Sequence, residues 1–288
     1  MTTQSNARST KGKPAGTNRS PQGIPALSAE QLGDLLQLLK GSDSVELKLS
    51  VPEANRRSAV RALGMDPLDA QIRQVIFFDT PDLQLSQHGL FVRGRRIQGK
   101  PGDSVVKLRP VQPEHLSPAL RKEPGFGVEV DALPGGFVCS GRMKVEVPDA
   151  RLVDVLSGRR PVSRLFNKKQ RSLFQSHAPG DLQLDDLAVL GPVNVLKLKF
   201  TPRDFNRRVV VELWAYPDGS RILELSTKCP PADAFTAAAE VKAYLSAHGI
   251  DLAAPQETKT RSALTFFAKE LREADSQLDG AREEERPT

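Results

Sequence analysis

Charged residues recur in this sequence at a spacing of two. Glu46 and Lys48 sit in SVELKLSV, Arg93 and Arg95 in GLFVRGRR, and Lys107 and Arg109 in SVVKLRP. Glu129 and Asp131 sit in GVEVDA, Lys169 and Arg171 in NKKQRSL, and Lys197 and Lys199 in NVLKLKF. Glu212 in VVVELWAY and Glu224, Ser226 and Lys228 in RILELSTKC continue the pattern. Strand side chains alternate between faces, so each doublet lies on one face of its strand while Val, Leu and Ile fill the other. Rows of Lys and Arg suit a multiply charged anion, because Arg offers paired donors and Lys a compact charge. The carboxylates suit Mg²⁺ or Mn²⁺, which prefer oxygen ligands.

Two arrangements account for the alternation. One is an antiparallel sheet with one face on a core and the other in water. It leaves the like-charged doublets unexplained, since unshielded basic rows on neighbouring strands repel. The other is a closed or nearly closed sheet with its charged face inside, neutralised by a bound polyanion and metal ions.

The elements that must position these residues are legible along the chain. Residues 1–26 are rich in Ser, Thr, Asn, Gly, Pro and basic residues and read as a disordered basic tail. SAEQLGDLLQLLKG reads as a helix, with a Ser28–Gln31 capping box and Gly41 as its closing glycine. PEANRRSAVRALG and RLVDVLSGRR read as short helices, and PADAFTAAAEVKAYLSAHG and TKTRSALTFFAKEL as C-terminal ones. Between them the chain reads as successive strands, including QVIFFDT, NKKQRSLFQ and DLQLDDLAVL. The expectation is one α+β domain over residues 27–270, then a polar, flexible tail over 271–288.

Composition narrows the function. No apolar run reaches the length of a membrane span, so no membrane insertion is expected. Cys139 and Cys229 are too far apart for a metal-type spacing, which fits a reducing, cytoplasmic setting. The four histidines are scattered and read as structural or surface residues. The formal net charge of +6 favours an anionic partner. Few aromatics are present to stack on bases, so nucleic-acid binding is not expected beyond the basic tail.

VIFFDTPDLQLSQHGLFVRGRR, residues 75–96, resembles the second-strand signature of the CYTH superfamily, the triphosphate tunnel metalloenzymes. Ser44-x-Glu46-x-Lys48 resembles the family's Glu-x-Glu-x-Lys first strand. Lys107 and Arg109, Arg121 and Glu123, Arg171, and Glu224 with Lys228 extend the match over most of residues 44–265. The resemblance implies an antiparallel β-barrel, or tunnel, with flanking helices, holding a triphosphate or polyphosphate ligand. Lys48, Arg93, Arg95, Lys107, Arg109, Arg171, Lys197, Lys199 and Lys228 would then hold phosphates. Glu46, Glu129, Asp131, Glu212 and Glu224 would hold Mg²⁺ or Mn²⁺, with Glu46, Lys48 and Glu224 at the centre of catalysis. The implied activity is metal-dependent hydrolysis of inorganic triphosphate or a related organic triphosphate. The alternatives are a polyphosphate- or nucleotide-binding module with little catalysis, or a class IV-type adenylate cyclase. Two departures weaken the metal set: Ser44 and Ser226 stand where the family pattern has Glu. Asp79, Asp185 and Asp186 read as turn formers rather than ligands, and Trp214 as an anchor at the tunnel mouth or sheet edge.

Overall fold

Each strand carries two faces that need opposite surroundings, and closing the sheet supplies both. The computed structural model describes residues 27–253, 255–256 and 258–284, so the tail expected over 1–26 lies outside the described residues. The first half contains α1 (Ala29–Lys40), β1 (Ser44–Val51), α2 (Arg56–Ala62), β2 (Gln71–Asp79), α3 (Gln84–Gln87), β3 (Leu90–Ile97), β4 (Lys100–Leu108) and α4 (Pro118–Arg121). The second half contains β5 (Phe126–Leu133), β6 (Gly136–Val147), α5 (Asp149–Leu156), α6 (Lys168–Gln175), β7 (Ala188–Phe200), β8 (Val209–Ala215), β9 (Arg221–Cys229), α7 (Ala234–Ala247) and α8 (Lys259–Glu284).

Nine strands close into a barrel in the order β1-β5-β6-β4-β3-β2-β7-β8-β9. A ring with an odd number of strands cannot have every neighbour antiparallel. The mismatch falls between β1 and β5, which pair in parallel, and the other pairs are antiparallel. The expected antiparallel barrel with flanking helices is therefore present, with one parallel seam that its strand number requires.

The apolar faces point outward and are roofed by helices. Ile76, Phe78, Val92, Val106 and Met143 pack against Leu152 of α5 and Leu173 and Phe174 of α6. Leu49, Val51, Val211, Leu223 and Leu225 pack beneath Ala59 of α2 and Tyr244 and Leu245 of α7. Val45, Val128, Val130, Cys139 and Cys229 meet Leu38 and Leu39 of α1 and Ala234 and Ala237 of α7. Most of the hydrophobic driving force thus lies around the barrel rather than within it.

Local signals explain several boundaries. The Ser28–Gln31 capping box forms as expected. Gly41 ends α1 without left-handed backbone, at φ −98°. Its requirement is space: a Cβ there would lie 2.3 Å from the Pro113 Cβ. In FFDTPDL, Asp79 accepts hydrogen bonds from the backbone N–H groups of Thr80, Leu85 and Ser86, which fixes the turn into α3. Asp185 similarly accepts from the Ser163 N–H and hydroxyl.

Three expectations need correction. NKKQRSLFQ is a helix, α6, and not a strand. Asn167 and Gln170 form a reciprocal capping box, and Gln170, Leu173 and Phe174 make a buried stripe at helical spacing that outweighs the Lys169–Arg171 alternation. DLQLDDLAVL contributes only its last residues to β7; Leu184–Asp186 is a single 3₁₀ turn. The polar tail expected from residue 271 is helical as far as Glu284. Among the described residues, no helix is long and apolar enough to cross a membrane.

Gln170 pins α6 to the barrel. Its side chain is fully buried, accepts from the Ser104 hydroxyl, and donates to the backbone carbonyls of Ser104 and Met143. Gln170→Leu removes these three hydrogen bonds, leaving the buried Ser104 hydroxyl without this acceptor, and is expected to cost about 1–3 kcal/mol. Urea unfolding measures this, and an unchanged midpoint would contradict the pinning role.

Candidate functional site

The strand register decides which side chains meet inside the barrel. Glu46 stands opposite Asp131 of β5 and Lys228 of β9, Lys48 opposite Ser226, and Ser50 opposite Glu224. Glu224 in turn faces Glu212, which faces Lys197, and Lys199 faces Val210. Arg93 faces Phe77 and Val105, Arg95 faces Val75 and Asp103, and Lys107 faces Arg142. Directly opposed residues share a sheet face, so all of these lie on one continuous inner wall. Arg109, just past β4, joins it by donating to Asp131 at 2.8 Å.

Asp131 is the acidic centre of one half. It is fully buried, with the Lys48 ammonium at 2.7 Å, the Arg109 guanidinium at 2.8 Å and Lys107 at 3.6 Å. Burial opposes its ionisation, but these cations overcome burial and hold it well below the usual carboxylate range. The Lys48 ammonium also meets Glu46 at 3.1 Å. Burial opposes the charge on Lys48, yet Asp131, Glu46 and Glu224 raise its pKa. Glu129 is bridged by Lys228 at 2.5 Å. The two unexpected serines donate to the carboxylates that remain: Ser226 to Glu46 at 2.9 Å, and Ser44 to Glu129 at 3.5 Å.

The other half is built around a lysine from outside the sheet. Lys259, in the first turn of α8, inserts its ammonium between Glu212 and Glu224, 2.7 Å from the latter. Lys197 meets Glu212 at 2.5 Å, and Lys259 lies over the Trp214 ring, 5.2 Å from its centroid. Burial opposes ionisation of Glu212, but Lys259 and Lys197 hold its pKa well below normal. Ala263 and Leu264 of α8 pack on the inner-wall residues Val193, Val195, Trp214 and Ile222, sealing that region of the barrel. Trp214 is therefore buried under α8, not an open anchor at the tunnel mouth.

Among the described residues, Arg93 makes no ion pair, and its Nε is buried without a hydrogen bond. Burial and the neighbouring Arg95 lower its pKa to about 10, so it remains charged at neutral pH. Burial brings Lys107 down to about 8. Arg95 is neutralised by Asp103, through bonds of 2.9 and 2.5 Å.

The sequence reading missed Arg73, Asp103, Arg142, Lys144 and Lys259. Arg73, Asp103, Arg142 and Lys144 were visible in principle, because each continues the same-face parity of its strand. Lys259 was not, since helical periodicity carries no sign that a first-turn lysine enters a barrel. Arg171, expected on the wall, lies exposed on α6 and donates to the Phe166 carbonyl at 2.7 Å. Lys169 pairs with Glu123 outside the barrel, and Arg121 with Asp43.

The carboxylates differ in their fitness for a metal ion. Glu46, Glu129 and Asp131 each place a ligand oxygen within 4.8 Å of the others. Asp131 Oδ1 is buried and, though 2.7 Å from Lys48 Nζ, has no aligned hydrogen bond. Three hard oxygen donors around an under-satisfied atom fit Mg²⁺ or Mn²⁺. Glu212 and Glu224, expected as further ligands, instead hold Lys259 and Lys197.

A closed barrel with an inward charged wall and outward apolar faces is the decisive feature. This is a triphosphate tunnel fold. Among solved structures, the tunnel is similar to a candidate adenylate cyclase from Bacillus halodurans, with a TM-score of 0.54 and 12% identity over 76% of this chain and 98% of that one. It is also similar to HpAC1 from Hippeastrum, a candidate adenylyl cyclase described as having a dominant triphosphatase activity, with a TM-score of 0.55 and 14% identity over 75% and 92% of the two chains. No family model matches the sequence, and no curated protein matches it.

Two predictions follow from the tunnel's electrostatics. Below about pH 8 Lys107 is charged before any anion arrives; above it, anion binding must first recruit a proton. Tripolyphosphate affinity, measured by calorimetry, is therefore expected to fall as pH rises through about 8, with Lys107→Met flattening that step. An unchanged slope in the variant would contradict the assignment. Ser226→Glu replaces a donor to Glu46 with a second carboxylate. It is expected to lower the melting temperature in chelator and to regain it with Mn²⁺; equal melting in both conditions would count against a cation site beside Glu46.

Proposed function

We propose that this tunnel binds a triphosphate chain and hydrolyses a terminal phosphoanhydride bond with the help of Mg²⁺ or Mn²⁺. The observation that supports the reading is Arg93: a half-buried, charged guanidinium on the inner wall whose Nε is buried without a hydrogen bond and which has no carboxylate partner among the described residues. A charge buried without a counter-charge is costly, and a polyanion is the ligand that removes the cost. Arg93, Lys107, Arg109, Lys197, Lys199 and Lys228 would hold phosphate oxygens, Arg through paired donors. Arg95 would contribute less, because Asp103 already occupies it.

Glu46, Glu129 and Asp131 would hold the metal ion. When bound, the ion supplies charge neutralisation at the phosphoryl oxygens and a more acidic water. Phosphoryl transfer depends mainly on positioning and charge stabilisation, and the wall offers fixed cations in a site shielded from bulk water. Lys48 keeps Glu46 and Asp131 ionised and in place, and Ser226 orients Glu46.

Adenylate cyclase activity has less support, because the Trp214 face is covered by Lys259 and offers no platform for adenine. A binding module with little catalysis remains the alternative, favoured by the lysine between Glu212 and Glu224. Phosphate release from tripolyphosphate with Mg²⁺, Mn²⁺ or chelator separates the two. Metal-dependent release is expected, with Arg93→Ala slowing it about 10²-fold, the usual cost of one preorganised charge-stabilising donor. Binding without release in any metal would establish the module and overturn hydrolysis.

A further inference from the structure

We propose that Lys259 is a built-in counter-ion that fills the Glu212–Glu224 position, so that the tunnel takes a divalent cation only at Glu46, Glu129 and Asp131. The inference rests on the tunnel reading above and deepens it.

Both oxygens of Glu212 are committed. Oε1 accepts from Lys197 at 2.5 Å, and Oε2 accepts from Lys259 and from the Trp214 indole N–H at 3.2 Å. Glu224 Oε1 accepts from Lys259 at 2.7 Å. The lysine itself is hard to displace. Its ammonium lies over the Trp214 ring, which favours a desolvated cation. Its carbonyl accepts the Tyr216 hydroxyl at 3.0 Å, and the fully buried Ala263 and Leu264 seat the following turn. Withdrawing the ammonium means lifting the start of α8 off the inner wall. It also leaves two adjacent carboxylates without that counter-charge.

The Glu46 cluster also has a bridging ammonium, Lys48, 2.7 Å from Asp131 and 3.1 Å from Glu46, but it differs in two respects. Its Asp131 Oδ1 lacks an aligned hydrogen bond. The cation bridging Glu129 is Lys228, whose side chain is 47% exposed and free to swing aside. An ammonium supplies charge and three donors but no vacant coordination position. At one end of the tunnel, then, the chain's own lysine occupies both carboxylates; at the other, Lys48 neutralises Glu46 and Asp131 but Glu129 is held only by the half-exposed Lys228 and the distant Arg142.

The test is a Mn²⁺ titration of the full chain, with free Mn²⁺ read by electron paramagnetic resonance. The wild type is expected to saturate at a single tight ion, Lys259→Gln to gain a second, and Lys259→Arg to remain at one. A second tight ion in the wild type, no tight ion at all, or no gain in a folded Lys259→Gln overturns the proposal. Should Lys259→Gln fail to fold, Glu212→Gln decides. It should leave the wild-type Mn²⁺ affinity intact, whereas a loss of about tenfold or more, as for a ligand or its support, overturns the proposal. Tripolyphosphate binding is measured in parallel by calorimetry. Its absence would defeat the tunnel reading, whereas a second ion with tripolyphosphate binding intact would defeat only the counter-ion proposal.

Discussion

Charge buried inside a protein has to be answered by charge, and that constraint shapes this molecule. The barrel is inverted relative to an ordinary soluble domain: its apolar faces look outward under helices and its charged faces look inward. Nothing but counter-charge makes such an interior stable, because ions removed from water lose solvation that only ion pairs, metals or bound anions restore. Asp131 meets three cations, Glu212 two, and Arg95 a bidentate carboxylate. The compensation stops short at Arg93, which has no ion pair among the described residues, and that residue marks where a ligand is missing from the balance.

The same constraint explains the outer architecture. Helices α1, α2, α5, α6 and α7 cover faces that would otherwise expose Val, Ile and Leu to water. Among the described helices, α8 reaches inside. It combines a first-turn lysine for the Glu212–Glu224 pair with Ala263 and Leu264 for the small apolar region around Trp214 and Ile222. Sealing and neutralisation are performed by one element. The parallel β1–β5 seam is likewise imposed, by the odd number of strands, and it brings Glu46 beside Asp131 and Ser44 beside Glu129.

Much of this was legible in the sequence. The period-2 charge rows identified most of the inner wall, because strand parity is rigid and a register error would have moved whole rows to the outer face. The FFDTPDL turn was readable through Asp79, whose carboxylate satisfies three backbone donors. Legibility failed where two periods coincide. KKQR alternates in charge like a strand, while Gln170, Leu173 and Phe174 pack as a helix, and burial of the stripe decided the outcome. It failed again at Lys259, where the role comes from three-dimensional approach rather than local pattern. The serines at 44 and 226 were visible as departures, but their use as donors to Glu129 and Glu46 required coordinates.

The central claim is that the inner wall lacks anionic charge which a triphosphate supplies. Thermal melting of the full chain under increasing tripolyphosphate, against sodium chloride at matched ionic strength, tests it most directly. A ligand present at a hundred times its dissociation constant contributes about 2.7 kcal/mol, which corresponds to a rise of roughly 5–10 °C for a domain of this size. A rise of that order with tripolyphosphate and not with chloride is the expected result. Superimposable melting curves in the two salts would show that the buried cations need no polyanion and would contradict the account.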